Sequence, residues 1–353
     1  MLSTKKSLLA IVSTLGLSVG LTAAAPALSQ PSQVLNLYSA RHYQTDEALY
    51  AEFTKQTGIK INRIEADDNA LLERLRSEGK NSPADVILMV DAARLWRAEI
   101  DGLFQPIQSK VLDTRIPKNF RSNDIGQGSQ WFGFSSRARV IVYDKASINP
   151  KTIDTYEKLA EPANKGKVCT RSGSHPYMLS LIGAMYELQG EAKTEAWAKG
   201  MVANMARAPK GGDTDQIRAV ASGECGVVLT NSYYLARLMR STKPADMQVV
   251  AKVGLIWPNQ NGSGTHMNIS GGGVASNAPN KAAAIKFLEY LASDSAQQYF
   301  ANGNNEWPIV KSVKTSNEAL NKLGSFKQEN VSIASIGKNQ IHAQKILDRV
   351  SYK

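Results

Sequence analysis

The chain has 353 residues, 42 Lys and Arg against 31 Asp and Glu, a formal net charge of +11, and two cysteines. Its basic residues stand singly among acids and apolar residues, with no basic run, zinc-finger spacing or RNA-binding signature, which argues against nucleic acid as a partner. Cys169 and Cys225 lie outside any Cys-x-x-Cys pair, so zinc or redox chemistry is disfavoured, while a bridge between them stays open.

Residues 1–29 read as a signal peptide. Lys5 and Lys6 give a positive start, residues 8–25 are apolar or small without charge, and Ala27 and Ser29 are the small residues a signal peptidase needs. Gly16 and Gly20 dilute the apolar run, against a permanent anchor. The processed chain, roughly 320 residues, is then soluble, exported and long enough for two lobes.

Residues 34–38 predict a short strand, followed by a polar loop at 39–44 and a helix with Ala48, Leu49 and Phe53 inward, ended by Gly58. Residues 59–64 alternate as a half-buried strand, Asp68 opens a helix stopped at Gly79, residues 85–90 form an apolar strand, and Asp91 caps a helix with Leu95 and Trp96. This alternation predicts a parallel α/β sheet. Residues 132–143 predict a long extended segment crossing between lobes. A second α/β set follows: helix 155–160, strand 166–171, helix 175–188, a helix through Trp197 and Met201, helix 216–222, strand 227–230 and a helix from Tyr233. Residues 249–257 and 267–275 read as strands returning to the first lobe, with Gly271–Gly273 as a backbone turn. Residues 281–300 read as one amphipathic helix, and the tail after Trp307 as helical and polar. The implied organisation is 30–133 with 262–313 as lobe 1, 134–261 as lobe 2, and helices within 314–353 packing on both.

In open α/β sheets a ligand sits beyond the carboxyl ends of strands, where the next helices begin. Three such loops here are Ser39-Ala40-Arg41-His42-Tyr43, Arg171 to Tyr177, and Asn231-Ser232-Tyr233-Tyr234, and each delivers tyrosine at or near a helix start. Four of the twelve tyrosines at three cleft loops exceed what packing requires. A phenol titrates near ~10 in water, but a highly charged cation favours its ionised form. Phenolate is a hard ligand suited to ferric iron, and helix N-termini favour anions. Four phenolates around Fe(III) leave one net negative charge, for which Arg137 and Arg237 are candidate balancing groups. Singly, a Tyr-Tyr pair reads as packing and His42 as a polar loop residue; the combination points to metal.

The segments LNLYSARHY (35–43), DVILM (85–89), FSSRARVIVY (134–143), NSYY (231–234) and NEWPIV (305–310) resemble the bacterial ferric-ion-binding proteins, most closely the cyanobacterial FutA group, over nearly the whole processed chain. The resemblance implies a periplasmic-binding-protein clamshell, type II-like, with crossing hinge strands. It implies a periplasmic monomer that delivers iron to an inner-membrane ABC permease, with no membrane insertion of its own. Position by position, it implies metal ligation by Tyr43, Tyr177, Tyr233 and Tyr234, with His42 as a further candidate and Arg137 beside the site. Fe(III) is favoured over Fe(II). Some relatives use a carboxylate and an external anion; Glu65, Asp67 and Asp68 are the carboxylates this chain offers after residue 64.

Two other readings stand beside this one. Ser172, Ser174, Asn231, Ser232 and the arginines would also suit a small anion such as phosphate or a carboxylate. An enzyme is disfavoured: there is no Gly-x-Ser-x-Gly, His-Glu-x-x-His or Walker loop.

Overall fold

A computed structural model of the chain describes residues 1–2, 34–41 and 45–353. Apart from Met1 and Leu2, the expected signal peptide lies outside the described residues, as do His42 and Tyr43. Among the described residues no helix is long and apolar enough to cross a membrane.

The first lobe is built on strands Val34–Ser39 (β1), Lys60–Glu65 (β2) and Val86–Met89 (β3). β1 pairs in parallel with both neighbours, as the strand–helix alternation predicts. Local chemistry sets the helix limits. Gly58 closes helix Asp46–Thr57 at φ 72°, donating to the Thr54 carbonyl at 2.8 Å. Asp67 caps helix Asp68–Glu78 by accepting from the Asn69 and Ala70 N–H groups, and Asp91 caps Ala92–Ile100 through the Ala93 N–H.

Strand Phe132–Asp144 (β4) is thirteen residues long and buried over its first eleven. Its first half pairs antiparallel with Met267–Val274 (β8); its second half belongs to the second lobe, where it pairs with Val227–Asn231 (β6) and Val253–Ile256 (β7). Val168–Cys169 (β5) adds to β6 in parallel, and Trp307–Pro308 (β9) pairs with Ser135 and Ser136. The order β2-β1-β3-β8-β4-β6-β5 therefore runs through both lobes, with β4 and β8 as the crossing strands. One apolar core fills the first lobe, and two fill the faces of the second-lobe sheet.

Several expected elements differ. Gly271–Gly273 is not a turn but the middle of β8, between β3 and β4; a Cβ on Gly272 would stand 2.3 Å from the Ile87 carbonyl oxygen. Residues 249–257 are not one strand. Pro244 starts a helix that runs to Lys252, and β7 follows, because Pro at the first helical position outweighs the β preference of the valines. The helix expected over 281–300 is two, Lys281–Leu291 and Asp294–Asn304, since the Ser293 hydroxyl caps the second through the Ala296 N–H. Residues 166–171 pair only at Val168 and Cys169, and residues 155–160 contribute a short 3-10 turn, Glu157–Ala160.

The tail is not simply polar. Val331, Ile333 and Ile336 enter the first-lobe core, and Ala343, Ile346, Leu347 and Tyr352 enter a second-lobe core. Helix Ile333–Lys338 packs on both Ala92–Ile100 and Pro176–Gln189. Gly337 permits this approach: a Cβ there would meet Trp96 Cβ at 2.3 Å. Cys169 and Cys225 are bridged, with Cα atoms 5.8 Å apart, inside the range a disulfide accepts; the bridge ties the end of β5 to the turn before β6.

Candidate metal centre

Two helix starts face each other at the carboxyl ends of β5 and β6. Helix Pro176–Gln189 begins with proline, and His175 caps it by accepting the Tyr177 N–H at Nδ1, 3.2 Å. Helix Ser232–Met239 starts directly from β6, with Asn231 as its extended capping residue. The Tyr177 and Tyr233 hydroxyls meet at 3.1 Å. Both side chains are buried, while Tyr234 is half-buried with its ring 4.2 Å from that of Tyr233. Arg237, one turn along, places its guanidinium 5.9 Å from the Tyr233 ring and 5.5 Å from the Tyr234 ring.

Arginines crowd Tyr177. Arg137 and Arg139 are two apart on β4 and so share one face of it. Their guanidinium carbons each lie 5.8 Å from the Tyr177 ring centre, and that of Arg171 lies at 5.9 Å. Arg139 is paired at 2.8 Å with Asp213 and donates to the Asn231 side chain at 3.1 Å; the same Asp213 oxygen accepts the Asn231 N–H at 3.0 Å. This buried set locks the start of the Tyr233 helix to the crossing strand. Arg137 donates to Ser270 Oγ at 2.9 Å and faces Glu306 at 3.7 Å.

The charge is felt by neighbouring groups. Burial, together with Arg171, Arg139 and Arg94, pushes the His175 imidazole down to about 3. His175 is thus neutral at physiological pH, and with Nδ1 accepting, its proton sits on Nε2. Its ring lies edge-on to Tyr177 at 4.4 Å. Among the three carboxylates, Asp67 is used in its helix cap and Glu65 pairs with Arg63 at 3.4 Å. Asp68 is raised to about 6 by burial, with Arg94 and Arg137 opposing the shift and Asp91 adding to it. Among the described residues, no group of three or more His, Cys, Asp or Glu is placed to hold a metal ion.

Tyr177, Tyr233, Tyr234, Arg137 and Arg237 are therefore gathered in one place. His42 and Tyr43 fall outside the described residues; Arg41, just before them, is buried and paired with Asp46 at 2.8 Å. Sequence reasoning did not single out Arg139, Arg171 or the capping role of His175. The alternation of FSSRARVIVY held the signal for Arg139, since it puts both arginines on one face.

Residues 48–326 match the family model described as bacterial extracellular solute-binding protein. The chain belongs to this family. Within this solute-binding family it is 48% identical over 338 residues to iron uptake protein A1 of Synechocystis sp., covering 95% of this chain and 92% of that one. The solved structure of Trichodesmium FutA in complex with iron and citrate ligands matches with a TM-score of 0.86 and 53% identity, over 91% of this chain and all of that one (100%). The ferric binding protein from Campylobacter jejuni matches with a TM-score of 0.85 and 38% identity, over 90% of this chain and 100% of the other. The resemblance of the sequence motifs to the ferric-ion-binding proteins, and to the FutA group among them, is thereby established, and with it the two-lobed periplasmic-binding-protein fold.

Proposed function

We propose that this chain is the periplasmic binding component of an ABC-type iron importer, and that it holds one iron ion, as cargo, through tyrosine phenolates in the cleft between its lobes. The coarser part follows its relatives, which are iron uptake and ferric-binding proteins rather than enzymes. The finer part rests on one observation: the hydroxyls of Tyr177 and Tyr233, from two helix starts, meet at 3.1 Å amid arginines. Guanidinium charge supplies what a phenolate needs nearby, and helix N-termini add to it.

Tyr177, Tyr233 and Tyr234 are the ligands on the second lobe, and Tyr43 is the fourth, from the first lobe, with His42 as a further candidate. Arg137 and Arg237 balance the negative charge of the complex. Fe(III) is the favoured cargo and Fe(II) the second candidate, because the lower charge of Fe(II) holds phenolates less well. We take the lobes as 30–133 with 262–313 and 134–261, the tail helices within 314–353 resting on both, and closure as a hinge about 132–139 and 256–265. The protein acts as a monomer, and an inner-membrane permease receives the closed form.

Ferric titration of the processed protein tests this. The wild type should develop an intense visible phenolate-to-iron band, and the double variant Tyr233→Phe/Tyr234→Phe should lack it; a band unchanged in the variant would sink the ligand assignment. The arginines around Tyr177 give a second reading, a small anion bound without metal. Stabilisation by phosphate or citrate alone, with no colour on iron addition, would favour it.

A further inference from the structure

We infer that Glu306 is a positioning residue whose buried carboxylate links Arg41, which precedes His42 and Tyr43 in sequence, to Arg137 beside Tyr177, and so couples the first-lobe side of the tyrosine site to its second-lobe side. The inference rests on the tyrosine reading above. Its structural half rests on contacts alone.

Glu306 is 0% exposed. Oε2 accepts from Ser135 Oγ on β4 at 2.7 Å and stands 3.6 Å from Arg41 Nη1, while Oε1 stands 3.7 Å from Arg137 Nη1. Arg41 directly precedes His42, and Arg137 lies against the Tyr177 ring. Residues 45 and 46 are gripped from the same turn: Thr45 donates to the Asn304 side chain, and Asn304 Nδ2 donates to Asp46 at 2.9 Å. Asp46 in turn pairs with Arg41, whose guanidinium lies 5.0 Å from the Phe300 ring. Residues 300–306 thus hold residues 41, 45 and 46, which flank residues 42–44 in sequence.

Local backbone explains how one turn does this. Asn305 ends helix Asp294–Asn304 in the left-handed region, φ 60°, which asparagine tolerates better than most residues. That reversal puts Asn304 and Glu306 on the same side of the chain end. Asn305 is held there by Asn317 at 2.8 Å and Arg240 at 2.9 Å. The result is a buried row of alternating sign, Asp46, Arg41, Glu306 and Arg137, running from the first-lobe loop to the crossing strand. Removing one member takes a buried opposite charge from each neighbour, which such rows do not tolerate well. The conserved shape of glutamine, by contrast, keeps an oxygen for Ser135.

The test compares wild type, Glu306→Gln and Glu306→Asp in the metal-free and the ferric forms. In the metal-free protein, amide hydrogen exchange should rise in residues 40–48 of Glu306→Gln while the Val227–Asn231 strand stays as protected as in wild type. In the ferric form, iron release to a competing chelator should quicken by about tenfold, the scale of a group that orients metal ligands without touching the metal. Glu306→Asp, which keeps the charge, should fall between the two, and it stands in should Glu306→Gln not fold. Unchanged exchange in 40–48, or a loss of melting temperature with unchanged iron release, would overturn the inference. The Tyr233→Phe/Tyr234→Phe variant separates the two claims. If it loses the visible band while Glu306→Gln releases iron normally, only the role of Glu306 fails; if it keeps the band, the ligand assignment fails whatever the exchange data give.

Discussion

Tyr233 and Tyr234 sit in the first turn of a helix that starts without a connecting loop, while His175 occupies the capping position of the helix that presents Tyr177. A neutral imidazole is required there, because only an unprotonated Nδ1 accepts the Tyr177 N–H. The folded protein holds the His175 imidazole down at about 3 through burial and three arginines, whereas the unfolded chain titrates near 6.5. The contribution of His175 to stability is therefore full above about 6.5 and is lost as pH falls from there towards 3. Unfolding by urea at pH 7 and pH 5 should show this. His175→Asn, which keeps a capping acceptor but cannot titrate, should lose less stability between the two pH values than wild type; an equal loss would show that the histidine charge is irrelevant.

At the scale of elements, helix Ile333–Lys338 lies close against the helix of Trp96, where a Cβ on Gly337 would stand 2.3 Å from Trp96 Cβ. Gly337→Ala would force that contact apart and should cost about 1–3 kcal/mol, the usual range for overpacking, measurable by chemical denaturation. No loss would mean that the helices slide freely there. The same contact shows what sequence could and could not convey. Strands 34–38 and 85–90, the caps at Asp91 and Gly58, and Tyr177, Tyr233 and Tyr234 at helix starts are legible because each is a local signal: period, capping residue, strand-to-helix junction. The break within 281–304 and the helix from Pro244 are not legible, because a single Ser or Pro overrides a longer hydrophobic pattern. The arginine cluster at Tyr177 was half legible, since Arg137 and Arg139 alternate on one strand, but Arg171 reaches the ring from a loop with no period to follow. The tail looks polar in the sequence because its few apolar residues are divided between two cores.

For the molecule as a whole, the lobes are joined by more than two crossing strands. Ser180, in the helix of Tyr177, donates to Asp91 at 2.6 Å, at the start of a first-lobe helix, and the tail helix bridges both. A ligand held from both lobes should therefore stabilise the whole unit of residues 33–353. Ferric iron at a thousand times its dissociation constant should add about 4 kcal/mol, seen as a rise in melting temperature. The Tyr233→Phe/Tyr234→Phe variant should show no such rise; an equal rise in both would mean that iron binds elsewhere.

The tail has one more consequence, in time rather than in space. Residues 331–336 contribute to the core of the first lobe and residues 343–352 to one of the two cores of the second, so each of these two cores lacks its last side chains until the end of the chain is available. A chain made from its N-terminus supplies these side chains last. Final packing in both lobes therefore depends on the same last stretch of chain, and truncation after residue 330 should loosen both lobes at once.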